Sequence, residues 1–556
     1  MRSSFTCLFK TILLIVCLTV AAQAQRTTGD IEGTVTDASG GVIPNVSLTL
    51  TGISVGLTRN VQSDAQGTFR FLQIPAGIYK ISTAQTGGFA ATVVENVTVT
   101  IENTTTVNLK LGIAATSESV VVTTDPLGIN VDTTDSKIQT NITSKLIEQL
   151  PKGTSFTSVL RISPATRAEP LSGGFQVDGA SGSENTFILD GLPVENFRTG
   201  TLNGVNNIPT ALISEIQIKT GGFEAEHGGA SGGVVSVATK SGSDQFHGQI
   251  GAEFDTYKLQ PRPRAAMSRF VSSNATQAAI LANKDYTYLL RQNKDKYLNM
   301  YPTATFSGPL IKGRAWFLGS YSPQIFRTTR VSNFINALSN SNFSTGTFVA
   351  SPRLGANGQP LPALTFKQNN TFEYAFGRVD TAILNNLRGS ATYLWNPNAV
   401  DGNLPYASIT TSNPVNVVYN NFSYPAEQYA RLQGGRENSN NFTSQLTWTA
   451  SSKLVATFRY GRMFLNQKGG NYALANEPRY VCSGEQAAYS TIATGCPGGI
   501  GYQNLTTNSI TSYDISTKNE YNADVSYLPG DWGGKHDLKG GYQYGITSND
   551  VVVREP

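Results

Sequence analysis

Residues Phe246–Tyr257 read FHGQIGAEFDTY, and the order of apolar and polar side chains in this stretch decides the fold. Successive side chains of an extended strand point to opposite faces. Phe246, Ile250, Ala252 and Phe254 therefore share one face, and His247, Gln249, Glu253 and Asp255 share the other. The layout recurs in NFTSQLTW (441–448), where Phe442, Leu446 and Trp448 oppose Thr443, Gln445 and Thr447. It recurs again in LVATFRYG (454–461), EYNADVSY (520–527) and LKGGYQYG (538–545). A half-buried strand of a soluble sandwich alternates in the same way, so no single segment settles the matter.

The spacing does. Candidate strands lie near 246–257, 300–309, 315–321, 371–381, 387–396, 441–449, 453–464, 519–527 and 538–546, and their connections alternate long and short. Each long connection exceeds forty residues, whereas the short ones are turns: IKGR, ILNNL, ASSK and LPGDWGGKHD. Outer-membrane barrels have this asymmetry, with short periplasmic turns and long outer loops. A sandwich does not put four long loops at one end. Residues 245–556 thus read as part of a large transmembrane antiparallel β-barrel with about nine strands present. Trp316, Tyr321, Trp395 and Tyr527, near strand ends, are expected in the interfacial aromatic girdle.

The start of the chain agrees with export. Arg2 and Lys10 precede or flank an apolar run from Ile12 to Val20, and Ala22-Gln23-Ala24 supplies a small-x-small cleavage site, so residues 1–24 read as a signal peptide. Losing Arg2 and Lys10 lowers the formal charge from +4 to about +2, a balance with no nucleic-acid footprint. Only 14% of residues are charged, against roughly 25% in ordinary soluble domains. Past the leader no apolar run reaches the ~20 residues of a membrane helix. Cys482 and Cys496 are the cysteines left after the leader, and in an exported chain the pair reads as one disulfide stapling a loop.

Between the leader and the wall lie two further regions. Residues 28–112 show short strands, with alternation at Val46, Leu48 and Leu50 and at Val97, Val99 and Ile101, broken by Gly, Pro and Asn. This pattern reads as a small β-sandwich. GTVTDASGGVIPNVSLTL and SDAQGTFRFLQIPAGIYKI within it resemble the carboxypeptidase regulatory-like domain, a transthyretin-like fold. That module is a non-catalytic appendage, and the segment contains no histidine from which a zinc peptidase site could be built.

Residues 128–242 have mixed αβ texture. Helices are expected at Ser144–Gln149 and around Ser155–Ile162, and strands near Thr186–Leu189, Glu215–Lys219 and Val234–Thr239. In SENTFILDGLPVENF, Asp190-Gly191 forms a tight turn after an apolar strand. Gly229–Gly233, GASGG, matches the Gly-x-Ser-x-Gly nucleophile elbow of hydrolases. An elbow needs a helix after its serine, however, and Ser231 is followed by GGVVSVATK, a strand pattern. Hydrolase chemistry is therefore set aside. Glycines here serve close backbone approach and tight turns, and Glu224, Glu226 and His227 are expected to face the lumen.

ISEIQIKTGGFEAEHGGASGGVVSVATK (213–240) resembles the end of the plug of TonB-dependent outer-membrane receptors, and SENTFILDGLPV resembles the plug's strand and Asp-Gly turn. SGPLIKGRAWFLGSYS resembles the second and third barrel strands of the Oar-like branch, which also has the order sandwich, plug, barrel. The resemblance marks Asp190, Gly191, Gly221, Gly222, Gly228, Gly229, Gly232 and Gly233 as plug-motif residues. It implies an outer-membrane protein with its N-terminal domain in the periplasm, outer-membrane lipid and the periplasmic domain of TonB as partners, no enzyme activity, no cofactor and no metal. Between sandwich and plug, within the linker 115–127, SESVVVTTDP (117–126) resembles a TonB box, with Ser119, Val120, Val121, Val122 and Thr123 in contact with TonB as an added strand. The same run also reads as the last strand of the sandwich, and both readings stand at this point.

On the resemblance, a ligand binds the outer loops near 258–299, 322–370, 397–440 and 465–518, whose Asn, Tyr and Gly suit a sugar, a peptide or an iron chelate equally. A surface adhesin, scaffold or export component with a plugged barrel is the alternative. Nine strands cannot enclose a plug of this size, whereas ~22 can. The sequence is accordingly expected to be the N-terminal part of a longer receptor or a truncated frame.

Overall fold

The computed structural model describes residues 27–113, 120–123 and 138–554, except 86, 151–152, 170–173, 197, 224–226, 228–229, 263–265, 270–286, 291–293, 335–353, 355–356, 403, 405–407, 410–415, 420–421, 426–433, 452, 471–479, 483–501, 505–509, 530–535 and 537. The chain is mainly β, in three parts.

The first part is a sandwich of two sheets. One contains β1 (Thr28–Thr36), β4 (Thr68–Pro75), β7 (Thr104–Thr106) and β8 (Leu109–Lys110). The other runs β3 (Thr58–Gln62), β2 (Ser47–Gly52), β5 (Gly77–Thr83), β6 (Thr92–Val99). Alternate residues fill the space between the sheets: Leu48, Leu50, Tyr79 and Ile81 of one sheet and Phe69 and Phe71 of the other share one core, all nearly inaccessible. A further strand, β9 (Val120–Thr123), extends the second sheet by pairing parallel to β6, Thr92 opposite Val120 and Glu95 opposite Thr123.

The second part is the plug. Its sheet runs β10 (Ile138–Thr143), β15 (Ile213–Gly221), β16 (Val234–Thr239), β13 (Thr186–Leu189), β14 (Leu192–Pro193), with a small hairpin of β11 (Thr166–Ala168) and β12 (Phe175–Val177) beside it. Helix α1 (Ser144–Gln149) begins where the Thr143 hydroxyl accepts from the Leu146 amide, an N-cap of the usual kind. Helix α2 spans Thr157–Leu160. Both helices lie within the segments expected from the sequence.

Among the described residues the third part is a wall of nine strands in chain order, each antiparallel to the next. They span His247–Thr256, Lys296–Ile311, Ala315–Phe334, Leu364–Leu384, Leu387–Asp401, Gly434–Ser451, Leu454–Gly470, Ile510–Tyr527 and Leu538–Arg554, the third to fifth being broken once each. Pro323 and Pro397 stand at two of the breaks, where a residue without an N–H cannot continue a ladder. Most strands run past their predicted ends on the side of the long connections. The extension GGRENSN (434–440) is polar on both faces, so alternation gave no sign of it.

Register makes the wall amphipathic. Leu446, Phe458, Ala523 and Tyr542 are cross-strand neighbours, and Leu446, Phe458 and Tyr542 are well exposed on the outside. One residue away, Thr447, Thr457 and Asp524 form the inward row and are buried. Inward apolar residues Leu318, Tyr374, Phe376, Leu394 and Met463 join the same core as Ile216, Ile218, Val235 and Val237 of the plug. The plug is therefore seated against the inner face. Among the described residues no helix is long and apolar enough to cross a membrane.

One expectation is corrected. Trp316 is not a girdle residue: it lies opposite Asp380 on the inward row and is buried. Its indole N–H donates to Asp244 at 2.8 Å, and its ring packs against Gly56 of the sandwich with the Arg388 guanidinium 5.4 Å from the ring centre. Strand parity, which proximity to a strand end does not reveal, decides its side. Tyr321, Trp395 and Tyr527 are each exposed by 40% or more.

Candidate functional site: the plug and its two faces

The Asp-Gly turn fixes the plug to the wall. Asp190 and Gly191 both have positive φ, 47° and 82°, the backbone of a two-residue hairpin turn joining β13 and β14. The Asp190 carboxylate accepts from the amide of Thr239 at 2.9 Å and from its hydroxyl at 2.8 Å. Arg378 of the fourth wall strand donates to the carbonyl and hydroxyl of Thr239 at 3.2 and 3.1 Å, and forks onto Asp380. Burial raises the Asp190 pKa, opposed by Arg378 and by the two Thr239 bonds.

The glycines after Ser231 meet tight quarters. A Cβ on Gly233 would lie 2.7 Å from the Cβ of Val177, and one on Gly232 would lie 2.8 Å from that of Ala180. Such distances exclude any larger residue without movement. Gly221 ends β15, and Gly222 has φ of 67°. Gly228 and Gly229 fall outside the described residues, as do Glu224 and Glu226. Ser231 precedes β16, a strand, and no helix begins there.

The sandwich sits at the end of the wall that carries the short turns. Gly56 donates its amide to the Gly242 carbonyl at 2.9 Å and accepts from Arg388 at 2.6 Å. Thr457 donates to Gln73 at 2.7 Å. Toward the plug, the Ile101 amide donates to Glu215 at 2.9 Å, and the Ile101 carbonyl accepts from Gln217 at 2.7 Å. Burial pushes the Glu215 carboxyl up to about 7, against the lowering effect of its bonds from Asn141 and Ile101. Lys219, wholly buried, pairs with Glu102 of the sandwich. His227 is buried at this joint too, 3.3 Å from Lys219 and 3.7 Å from Glu102, rather than facing an open lumen. The sequence pattern of β15 held no sign of this, because the partner of Lys219 lies more than a hundred residues away in another domain.

At the opposite end, the plug loops around 153–155 and 204–207 face the inner wall across a cavity of about 600 Å³. Glu253, Asp255, Tyr301, Gln324, Phe326 and Phe372 line the wall side. The size suits a small-molecule ligand, and the lining combines aromatic faces with hydrogen-bonding groups. The long connections at this end contain short hairpins, Ala266–Arg269 with Thr287–Leu290, Asn416–Tyr419 with Phe422–Pro425, and Tyr480–Cys482 with Tyr502–Asn504.

Of the linker residues, Val120, Val121, Val122 and Thr123 form β9, and Ser119 lies outside the described residues. Cys496 is also outside them, so its pairing with Cys482 is as well. Among the described residues no group of three or more His, Cys, Asp or Glu could hold a metal ion.

Residues 30–112 match the carboxypeptidase regulatory-like domain, and residues 130–234 match the TonB-dependent receptor plug domain. The TonB-dependent transporter Oar of Myxococcus xanthus is 28% identical over 321 residues, covering 55% of this chain and 27% of Oar. The ferrienterobactin receptor of Escherichia coli strain K12 is 39% identical over 85 residues, 13% of this chain and 11% of that receptor. Among solved structures, the outer-membrane transporter YddB from Escherichia coli overlaps 74% of this chain and 53% of its own, with 14% identity and a TM-score of 0.41. The chain thus carries a TonB-dependent receptor plug domain, with a carboxypeptidase regulatory-like domain before it and an externally apolar β-wall after it. It is a homologue of the TonB-dependent transporter Oar, about a quarter of whose length it matches.

Proposed function

We propose that the chain works as the receptor and gate of an energised importer. Ligand binds at the end of the wall with the long connections, over the plug loops at 153–155 and 204–207. TonB takes the linker at Ser119–Thr123 as an added strand, and pulling there rearranges the plug to open a path. The observation that carries this reading is the plug sheet seated on a wall that is polar inside and apolar outside, with the linker at the opposite end from the cavity. Energy then comes from the inner membrane. The cargo is a sugar, a peptide or an iron chelate, and the lining of the cavity accommodates hydroxyl-rich or aromatic ligands.

The pairing of β9 with β6 favours a second use of the same residues, as the edge strand of the sandwich. On the import reading TonB must then draw β9 off β6, exchanging one strand partner for another. The test is fluorescence anisotropy of a labelled TonB periplasmic domain titrated with the full chain in detergent micelles, beside Val121→Pro. Binding that the proline abolishes supports strand addition. Equal absence of binding by both chains removes the import reading and leaves a scaffold or adhesin.

A further inference from the structure

The joint between sandwich and plug differs in kind from the interior of either. Each domain has its own apolar core, and the sandwich core contains no plug residue. Across the joint the buried apolar contact is small, formed by Ala76, Ile101 and Ala238. Beside it the two domains are linked by hydrogen bonds and by one buried ion pair. The turn Thr100–Asn103 of the sandwich, with Glu102 at φ 53°, reaches β10 and β15 of the plug. Ile101 bonds Glu215 and Gln217 through its backbone, Gln139 donates to Asn103 at 2.7 Å, and Glu102 meets Lys219 and His227.

We infer that the plug face built from Gln139, Glu215, Gln217 and Lys219 is a detachable docking surface for the chain's own sandwich, which leaves it as a folded body. Four physical arguments lead there. Taking charges out of water offsets most of the gain from pairing them, so a buried ionic joint holds weakly for its size. When the domains part, these groups return to water, whereas an apolar joint of equal area would expose a hydrophobic surface. Polar inter-domain contacts of this type normally permit relative motion. Removing one charge alone strands the other in the interior, so the joint opens as a unit rather than residue by residue. Since β15 lies between β10 and β16 in the plug sheet, parting uncovers polar groups on two neighbouring strands of the plug. The inference does not depend on TonB or on transport.

Hydrogen exchange of the full chain in detergent micelles tests it, because the Ile101 amide bonds across the joint and reports its opening directly. Glu102→Gln and Lys219→Met each strand a charge and are expected to speed exchange at Ile101 at least tenfold, with Leu48–Leu50 and Tyr79–Ile81 unchanged. The double variant strands none, and its exchange at Ile101 is expected to be slower than in either single variant. Unchanged exchange at Ile101 in both single variants overturns the inference. So does acceleration that spreads to Leu48–Leu50 and Tyr79–Ile81, which means unfolding rather than parting, and so does a double variant faster than both singles.

Discussion

Asp190 and Thr239 are joined twice, amide and hydroxyl of one to the two carboxylate oxygens of the other, at 2.9 and 2.8 Å. This single pair ties the plug's hairpin turn to the last residue of its central strand β16, beside Arg378 of the wall. Bonds to a charged acceptor contribute about 1.5–3 kcal/mol each. Asp190→Ala is therefore expected to weaken the local structure by about 2 kcal/mol or more, read as roughly thirtyfold faster exchange at the Thr239 amide. Asp190→Asn, which keeps one acceptor, should fall between.

Glu215 makes the plug's stability depend on pH. Its carboxyl, at 4.5 when unperturbed, is raised to about 7 by burial. The native state thus binds a proton more tightly than the unfolded chain. Stability from this group is fully present below pH 4.5, declines as pH rises toward 7, and is flat above. The denaturant midpoint of the plug, followed from pH 4 to 8, should fall across that window. In Glu215→Gln this component of the slope should vanish.

Gly233 has no room for a side chain. Gly233→Ala sets a Cβ 2.7 Å from the Cβ of Val177, an overpacking expected to cost roughly 1–3 kcal/mol. Val177→Gly in the same chain should recover part of the loss, although it is destabilising alone. That non-additivity, measured as a double-mutant cycle by plug protection against exchange, separates steric conflict from a general effect of the substitution.

Leu446 stands on the outward face, with Phe458 across from it. Leu446→Arg should destabilise the wall by roughly 2–4 kcal/mol if the site lies at the bilayer midplane, and less nearer an interface. Folding into lipid vesicles under a urea gradient measures it.

The wall was legible in the sequence because lipid outside and plug inside impose strict alternation, and that rule located all nine strands. It gives no signal where both faces are polar, which is why GGRENSN (434–440) escaped notice. The Asp190-Gly191 turn was legible for a local reason, as two adjacent residues set its backbone. Trp316 was misplaced because proximity to a strand end says nothing about parity. Lys219 looked like one polar residue of an alternating strand, yet both faces of β15 are covered. A charge whose partner is in a separate domain leaves no mark on its neighbours in the chain.

Gly56 meets the wall and the plug's final segment through its own amide and carbonyl, and Ile101 meets the plug the same way. Beside the side chains of Gln73, Glu102 and Asn103 and the apolar contact of Ala76 and Ile101, the sandwich is held by main-chain atoms, which every sequence possesses. A module seated in this manner can be replaced by another of the same backbone shape with little regard to its surface, provided that it keeps a glycine beneath Trp316 and an acid at the clasp. The sandwich is thus expected to be exchangeable, and grafting a homologous sandwich onto this plug should be constrained by backbone curvature more than by composition.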